Sequence, residues 1–259
     1  MKKRLLVITV ALLVMALTLN VSSGFAATKK SVYVISSMTV KNISGSYTSS
    51  NTTKYTYNKN GLLKKYSNNS DTGKYTYNGK KLKTAYLAIG DGVPSDYKYT
   101  WKSGKIKKAK DSQNYITLKY KYNKSGKISK ITGVNDYNGS ISSETTYKYD
   151  SKKRLKSSLI GVTKTTYKYN SKGALSKTVQ SSSNYTTTYN YKTTFKNGRI
   201  TKIVKTLKGM DSYKVKVTIK YKKIKVPSNY LSLVKKQRKQ IIMDHGCQLS
   251  LSYFPMGKL

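Results

Sequence analysis

Residues 167–175 read Tyr-Lys-Tyr-Asn-Ser-Lys-Gly-Ala-Leu. Alternation along a strand places both tyrosines on one face and the intervening lysine on the other. Asn at the first turn position and Gly at the fourth favour a type I turn followed by a residue with positive φ. Because the leucine then begins a second strand, the stretch predicts one β-hairpin.

The same pattern recurs eight times between about residues 46 and 221. The typical copy has an aromatic residue, a spacer, a second aromatic residue, a polar turn, a basic residue and then Leu or Ile, which we call the anchor; the copies that begin at Thr193 and Ile219 lack the first aromatic residue. The eight anchors, about 23 residues apart on average, are Leu63, Leu82, Ile106, Ile128, Leu155, Leu175, Ile200 and Ile224. Asn78-Gly79 and Asn197-Gly198 predict tighter type I′ turns. Asp150–Lys153 lacks the glycine and predicts a looser or strained turn.

Tandem hairpins with short links predict an antiparallel meander. The expected fold is all-β, with about eight hairpin repeats in a large twisted sheet that stays open or closes only in part. Residues 31–40 are predicted to form a leading strand. Ser228 is expected to cap a short basic helix over residues 229–242.

The chain divides into three segments. Residues 1–26 resemble a secretory signal peptide, with a basic start, an apolar run and small residues before a cleavage site. A membrane anchor is the alternative, but the apolar run is short for one. Residues 27–227 form the Tyr- and Lys-rich repeat domain, and residues 228–259 hold the basic helix and an atypical, poorly ordered tail. The chain is predicted to be secreted or extracellular, either free or associated with the cell wall.

Composition excludes several kinds of site. The chain has one Cys and one His, so neither a disulfide scaffold nor a Cys/His zinc site is expected. No cofactor or metal is expected. The 51 basic and 9 acidic residues give a net charge of +42. This charge exceeds the magnitude of about 2 to 8 that keeps a small domain soluble, and it indicates association with polyanions.

Catalytic candidates are few. Asp91 and Asp96 flank a short loop, Glu144 is the one glutamate, and a pair of carboxylates is what glycoside hydrolysis requires. Asp244, His245 and Cys247 resemble a base and nucleophile set, but they lie outside the repeats. Ordinary turn or surface roles account for these acids better than catalysis does, so we predict no enzymatic activity.

Tyrosine and lysine carry the binding hypothesis. Leu, Ile and Val are sparse in the repeats, so the tyrosines are expected to supply most of the core. They are also candidates for stacking against sugar rings. The possible ligand contacts are Tyr99, Trp101, Tyr120, Tyr122, Tyr147, Tyr149, Tyr167 and Tyr169, with Lys121, Lys148 and Lys168.

The units resemble YD repeats of the Rhs type, whose core is Tyr-x-Tyr-Asp-x-x-Gly-x-Leu. Residues 147–150 and 167–175 carry the likeness best, although most copies have Asn where the family has Asp. The family builds spiralling β-sheet shells, a role that eight units are too few to perform. The pattern is more weakly similar to the aromatic repeats of choline- and glucan-binding proteins.

Three functions follow as hypotheses. The first is a secreted or surface-associated, non-enzymatic protein that binds anionic envelope polymers such as teichoic acid or polysaccharide electrostatically. The second is a secreted hydrolase or toxin-like domain that acts on wall polymers. The third is a structural spacer without a specific ligand. Sequence-specific nucleic-acid binding and a transmembrane segment after signal cleavage are not expected.

Overall fold

The computed structural model describes residues 28–249 and 254–257, so the predicted signal peptide lies outside the described residues. Within these ranges sixteen antiparallel strands follow one another round a closed barrel, and the first strand pairs with the last. The strands are β1 Lys29–Ser44, β2 Tyr47–Tyr57, β3 Leu63–Ser67, β4 Asp71–Asn78, β5 Lys81–Ile89, β6 Ser95–Lys102, β7 Lys105–Asp111, β8 Ile116–Tyr122, β9 Ile128–Asn135, β10 Ile141–Tyr149, β11 Leu155–Ile160, β12 Thr163–Tyr169, β13 Leu175–Ser181, β14 Thr186–Lys196, β15 Arg199–Leu207 and β16 Met210–Pro227.

A short helical segment follows the last strand. It consists of a 3₁₀ turn, Ser228–Tyr230, the helix α1, Leu231–Ile241, and a π-helical turn, Ile242–Gly246. The prediction of a short C-terminal helix is therefore confirmed. Ser228 does not cap α1, because the residue before the helix is Tyr230 and it makes no side-chain capping bond.

The all-β meander is confirmed, but the prediction of an open or partly closed sheet is wrong. Strands β1 and β16 pair from Lys29 opposite Pro227 to Ser44 opposite Tyr213, with one irregularity after Ile35. Both are long strands whose outer edges would otherwise expose unpaired backbone groups. Pairing the two edges satisfies those groups and closes the barrel.

Two of the turn predictions are confirmed and one is wrong. Asn197 and Gly198 have φ of 49° and 69°, as a type I′ turn requires. Asn78 pairs with Lys81, so the central residues of that turn are Gly79 and Lys80 and not the predicted Asn78 and Gly79. Of the two only Gly79 has a positive φ, which fits type II′ rather than I′. Lys153 occupies, at φ 59°, the position that Gly126 and its equivalents hold elsewhere. That confirms the strained turn expected there, since non-glycine residues disfavour this region.

The barrel interior holds both the wall aromatics and the C-terminal segment. About eight strands make a barrel that wall side chains just fill, so sixteen enclose additional space. Ile241, Met243, Cys247, Phe254 and Met256 are buried in one cluster with the wall residues. The prediction of a poorly ordered tail is therefore wrong for the described part of the tail, whose apolar side chains pack inside the barrel.

Candidate functional site

The predicted aromatic and lysine contacts lie on opposite faces of the wall. Tyr120, Tyr147 and Tyr167 are buried, and the other aromatics pack partly buried against the same core, namely Tyr99, Trp101, Tyr122, Tyr149 and Tyr169. The lysines Lys121, Lys148 and Lys168 are exposed on the outer face. The structure thus does not bring the aromatics and these lysines together on one surface.

In seven of the eight repeats, all except the one that carries Phe195, the second aromatic residue has a structural role that the sequence pattern did not reveal. Its hydroxyl or indole N–H donates a hydrogen bond of 2.6–3.0 Å to a backbone carbonyl on the preceding hairpin, usually that of the anchor. The bonds run from Tyr57 to Ile35, Tyr77 to Leu63, Trp101 to Leu82, Tyr122 to Ile106, Tyr149 to Ile128, Tyr169 to Leu155 and Tyr221 to Ile200. We call this series the aromatic ladder. It links each hairpin to the next where the strands are irregular.

The outer wall carries lysines directly opposite one another on neighbouring strands. The cross-strand Lys pairs are Lys41 and Lys216, Lys65 and Lys74, Lys98 and Lys110, Lys102 and Lys105, Lys108 and Lys119, Lys121 and Lys130, and Lys168 and Lys177. Residues in such positions have Cβ atoms about 4.5–5.5 Å apart, and like charges there destabilise a sheet. We call this surface the lysine wall.

A cavity opens at the end of the barrel where α1 meets the turns of three hairpins. Its volume is about 440 Å³. Arg154 and Arg199 line it from the barrel, and Arg238 lines it from α1. Four lysines line it as well, Lys152, Lys172, Lys235 and Lys239. We call it the arginine cavity, and none of the described residues that line it is acidic.

Contacts with neighbouring residues hold each arginine in place. These contacts use only some of the N–H donors of each guanidinium. Arg154 Nε lies 2.7 Å from Asp150 Oδ2, and its guanidinium lies over the Tyr169 ring. Partial burial raises the pKa of Asp150, but hydrogen bonds from Arg154 outweigh this and lower the pKa overall. Arg199 lies 3.9 Å from the centroid of the Tyr33 ring. Arg238 donates a hydrogen bond of 2.9 Å to the carbonyl of Tyr33.

The floor of the arginine cavity is apolar. Leu175, Ile203, Ile242, Met243 and Cys247 line it from the buried core. Burial raises the pKa of the Cys247 thiol to about 12. The site therefore combines a cationic rim with an apolar base.

The other catalytic candidates are dispersed or bonded. Glu144 pairs with Lys130 on the neighbouring strand. Asp96 lies on β6, and three strands separate it from the β10 strand that carries Glu144. Asp91 lies exposed in the loop before β6. The structure does not gather these three acids, and the hydrolase hypothesis stays a prediction.

His245 lies inside the barrel. Its Nδ1 is 2.6 Å from the Tyr55 hydroxyl, and its Nε2 is 3.8 Å from Asp244 Oδ2. Burial lowers the pKa of His245, and Asp244 opposes that effect only in part. His245 is therefore a partly buried hydrogen-bond partner of the wall.

Comparisons with known proteins address the fold. No family model and no curated protein matches the chain. A porin-like protein from Bacteroides uniformis superimposes with a TM-score of 0.52 at 17% identity, over 73% of this chain and 98% of that one. A porin-like protein from Bacteroides vulgatus gives 0.49 at 10% identity over 73% and 98%.

The likeness to the first of these structures supports the closed barrel. At such identity it concerns the fold alone. The resemblance to YD repeats stays a prediction. No helix in the described part of the chain is long and apolar enough to cross a membrane.

Proposed function

We propose that the chain is an exported, non-enzymatic envelope protein that binds anionic polymers, such as teichoic acid or acidic polysaccharide, through the lysine wall. The pattern of residues 1–26 supports export. Removal of that segment takes away Lys2, Lys3 and Arg4 and leaves 48 basic against 9 acidic residues, or +39. A chain of this charge repels itself unless anions neutralise it.

The observation that carries the proposal is the opposition of lysines across neighbouring strands. Lys108 faces Lys119, and Lys98 faces Lys110, all four exposed; the Lys110 ammonium also lies 3.5 Å from Asp136 Oδ2, so the first pair carries the argument. Unit charges brought to about 4 Å from one another in water repel by about 1 kcal/mol, and the flexible lysine side chains lower this repulsion by spreading apart. A polyanion laid across these rows relieves the repulsion and releases its own counterions, which favours binding at low salt.

The chemistry of lysine suits this role. A lysine ammonium is a hydrated point charge on a flexible stem, and it binds phosphate without requiring a fixed geometry. The wall therefore accepts polymers of irregular spacing. The buried tyrosines of the repeats, such as Tyr120, Tyr147 and Tyr167, contribute by stabilising the sheet from inside, because they face the lumen rather than the polymer.

The test is binding of the mature chain to purified teichoic acid across a salt series. We expect retention at about 0.15 M salt and release by about 1 M salt, because screening shortens the range of the attraction. Lys108→Gln with Lys119→Gln should weaken binding more than the matched turn variant, Lys59→Gln with Lys124→Gln. No binding at low salt would favour the spacer hypothesis. Equal weakening by both variants would show that total charge, and not the wall, governs binding.

A further inference from the structure

We propose that the arginine cavity is a discrete binding site for a phosphate ester with an apolar body, separate from the lysine wall. The chain contains four arginines among 51 basic residues, and three of them line this one cavity. The fourth, Arg4, falls in the predicted signal peptide. A surface that needed only charge would use lysine, as the wall does. Arginine presents a planar fork of donors that matches phosphate oxygens in pairs.

The departures from the repeat meet at this cavity. Just before the anchor, four of the other five hairpins carry lysine, namely Lys81, Lys105, Lys127 and Lys223, and the first carries Leu62. The three hairpins around the cavity carry Arg154, Ala174 and Arg199 in turn. Two arginines thus flank an alanine, and the alanine leaves space between them.

The hairpin that carries Arg199 also departs from the pattern at both aromatic positions. Thr193 stands where the other well-formed copies have tyrosine, and Phe195 stands where they have a hydroxyl or indole donor. Both residues line the cavity. Neither change is needed to build a hairpin, since the other copies fold with the aromatic pair. Together they open a pocket in the rim that a tyrosine at residue 193 would occupy.

The arrangement of the cationic groups suits a defined ligand. Stacking on Tyr169 and Tyr33 fixes two of the guanidinium planes before any ligand arrives, and such preorganisation reduces the entropy cost of binding. Lys235 and Lys239 are exposed on one side of α1 and add charge at the opening. A volume of about 440 Å³ falls in the range of small-molecule sites. The apolar floor beneath the rim favours an ester over free inorganic phosphate.

Calorimetric titration of the mature chain at about 0.15 M salt, with 1-naphthyl phosphate and inorganic phosphate as probes, tests the proposal. We expect the ester to bind and inorganic phosphate to bind more weakly. Lys235→Gln with Lys239→Gln should weaken ester binding about tenfold or more, since charged hydrogen bonds are lost. The matched control, Lys121→Gln with Lys148→Gln, removes the same charge from the outer wall and should change affinity less than about twofold.

Two further variants separate shape from charge. Thr193→Tyr restores the residue of the other repeats, keeps every charge and should abolish ester binding by filling the pocket. Arg199→Lys keeps the charge and should still weaken binding, because the fork is lost. Circular dichroism and the unfolding temperature of each variant verify that it folds. The helix lysine pair, exposed on α1, tests the site even if Thr193→Tyr fails to fold.

The ester could be part of a lipid headgroup or a soluble molecule. Binding of the chain to phosphatidylglycerol vesicles, compared with phosphatidylcholine vesicles, distinguishes the two sources. Loss of phosphatidylglycerol binding in Thr193→Tyr assigns the site to a lipid headgroup. Vesicle binding that Thr193→Tyr leaves unchanged, with naphthyl phosphate lost, assigns it to a soluble ester. Failure of the native chain to bind the ester, or equal weakening by the outer-wall control, would overturn the proposal. Neither result bears on teichoic acid retention, which depends on the lysine wall.

Discussion

Tyr149→Phe isolates one rung of the aromatic ladder. The substitution keeps the ring and its packing and removes the hydroxyl that donates a bond of 2.7 Å to the Ile128 carbonyl. A neutral intramolecular hydrogen bond contributes about 0.5–1.5 kcal/mol, and a partly buried acceptor left without its donor adds to the loss, so we expect a cost of about 1–2 kcal/mol. For a chain of this size that lowers the unfolding temperature by about 3–6 °C.

Urea unfolding followed by far-ultraviolet circular dichroism measures this cost. The midpoint should fall while the slope of free energy against urea stays constant, because the surface exposed on unfolding is unchanged. Tyr47→Phe is the matched control, since Tyr47 is 67% exposed and its change should stay within about 0.5 kcal/mol. A Tyr149→Phe cost no larger than the Tyr47→Phe cost would refute a stabilising role for the ladder.

Three further predictions use titration and reactivity. Because burial lowers the pKa of His245, the unfolded chain binds a proton first below about pH 6.5. Stability should therefore fall on acidification, and His245→Asn should flatten that part of a pH series of urea midpoints. Burial raises the pKa of Tyr122 to about 12 and shifts other lumen tyrosines upward. The unfolded state loses those protons from about pH 10, so stability should fall above that pH, and tyrosinate absorbance should appear together with loss of circular dichroism, not before it. The buried Cys247 thiol should resist alkylation in the folded chain and react once urea unfolds it; rapid labelling without denaturant would mean that the tail leaves the lumen.

Local features of the fold were predictable because they depend on neighbouring residues. Alternating aromatics, an Asn-first turn and a following anchor specify each hairpin, and the structure has them in that order. Closure of the barrel could not be predicted in this way. It depends on pairing between β1 and β16, which are separated by almost the whole described chain. A degenerate last repeat containing Ile219 gives no sign that its strand forms the closing edge.

The tail was misjudged for a related reason. The tail has no repeat pattern, so its apolar residues, such as Met243 and Phe254, were not assigned to a core, and the repeats do not indicate a lumen that could receive them. A sheet assumed to be open offers no interior. Once sixteen strands close, the interior exceeds what the wall fills, and Tyr147 packs edge-on against Phe254 at 4.6 Å. The tail could be placed only after the closure was known.

The sequence does contain signs of the aromatic ladder and the arginine cavity. They are lost when residues are grouped only as aromatic or basic. Trp101 replaces tyrosine at a ladder position, and both residues donate a hydrogen bond from the end of an aromatic ring. Phe195, which cannot donate, marks the hairpin that borders the cavity. Comparing the copies by hydrogen-bonding capacity, and not by aromatic character, would have singled out that hairpin. Comparing Arg with Lys, and not counting both as basic, would have pointed to the same place.

The two proposed sites are built from two different positions of the repeat. The spacer between the aromatics faces outward, and the spacers Lys121 and Lys168 belong to the lysine wall. Such outward residues can vary without disturbing the lumen. The residue before the anchor lies at the rim, where Lys127 and Arg154 each lie over the aromatic ring of the next hairpin. A cation at this rim position is therefore fixed by a ring, whereas a wall lysine is free to follow a polymer. Fixed guanidinium groups select a ligand by shape and mobile ammonium groups by charge, so the rim and the wall should differ in salt dependence when each is measured with its own probe.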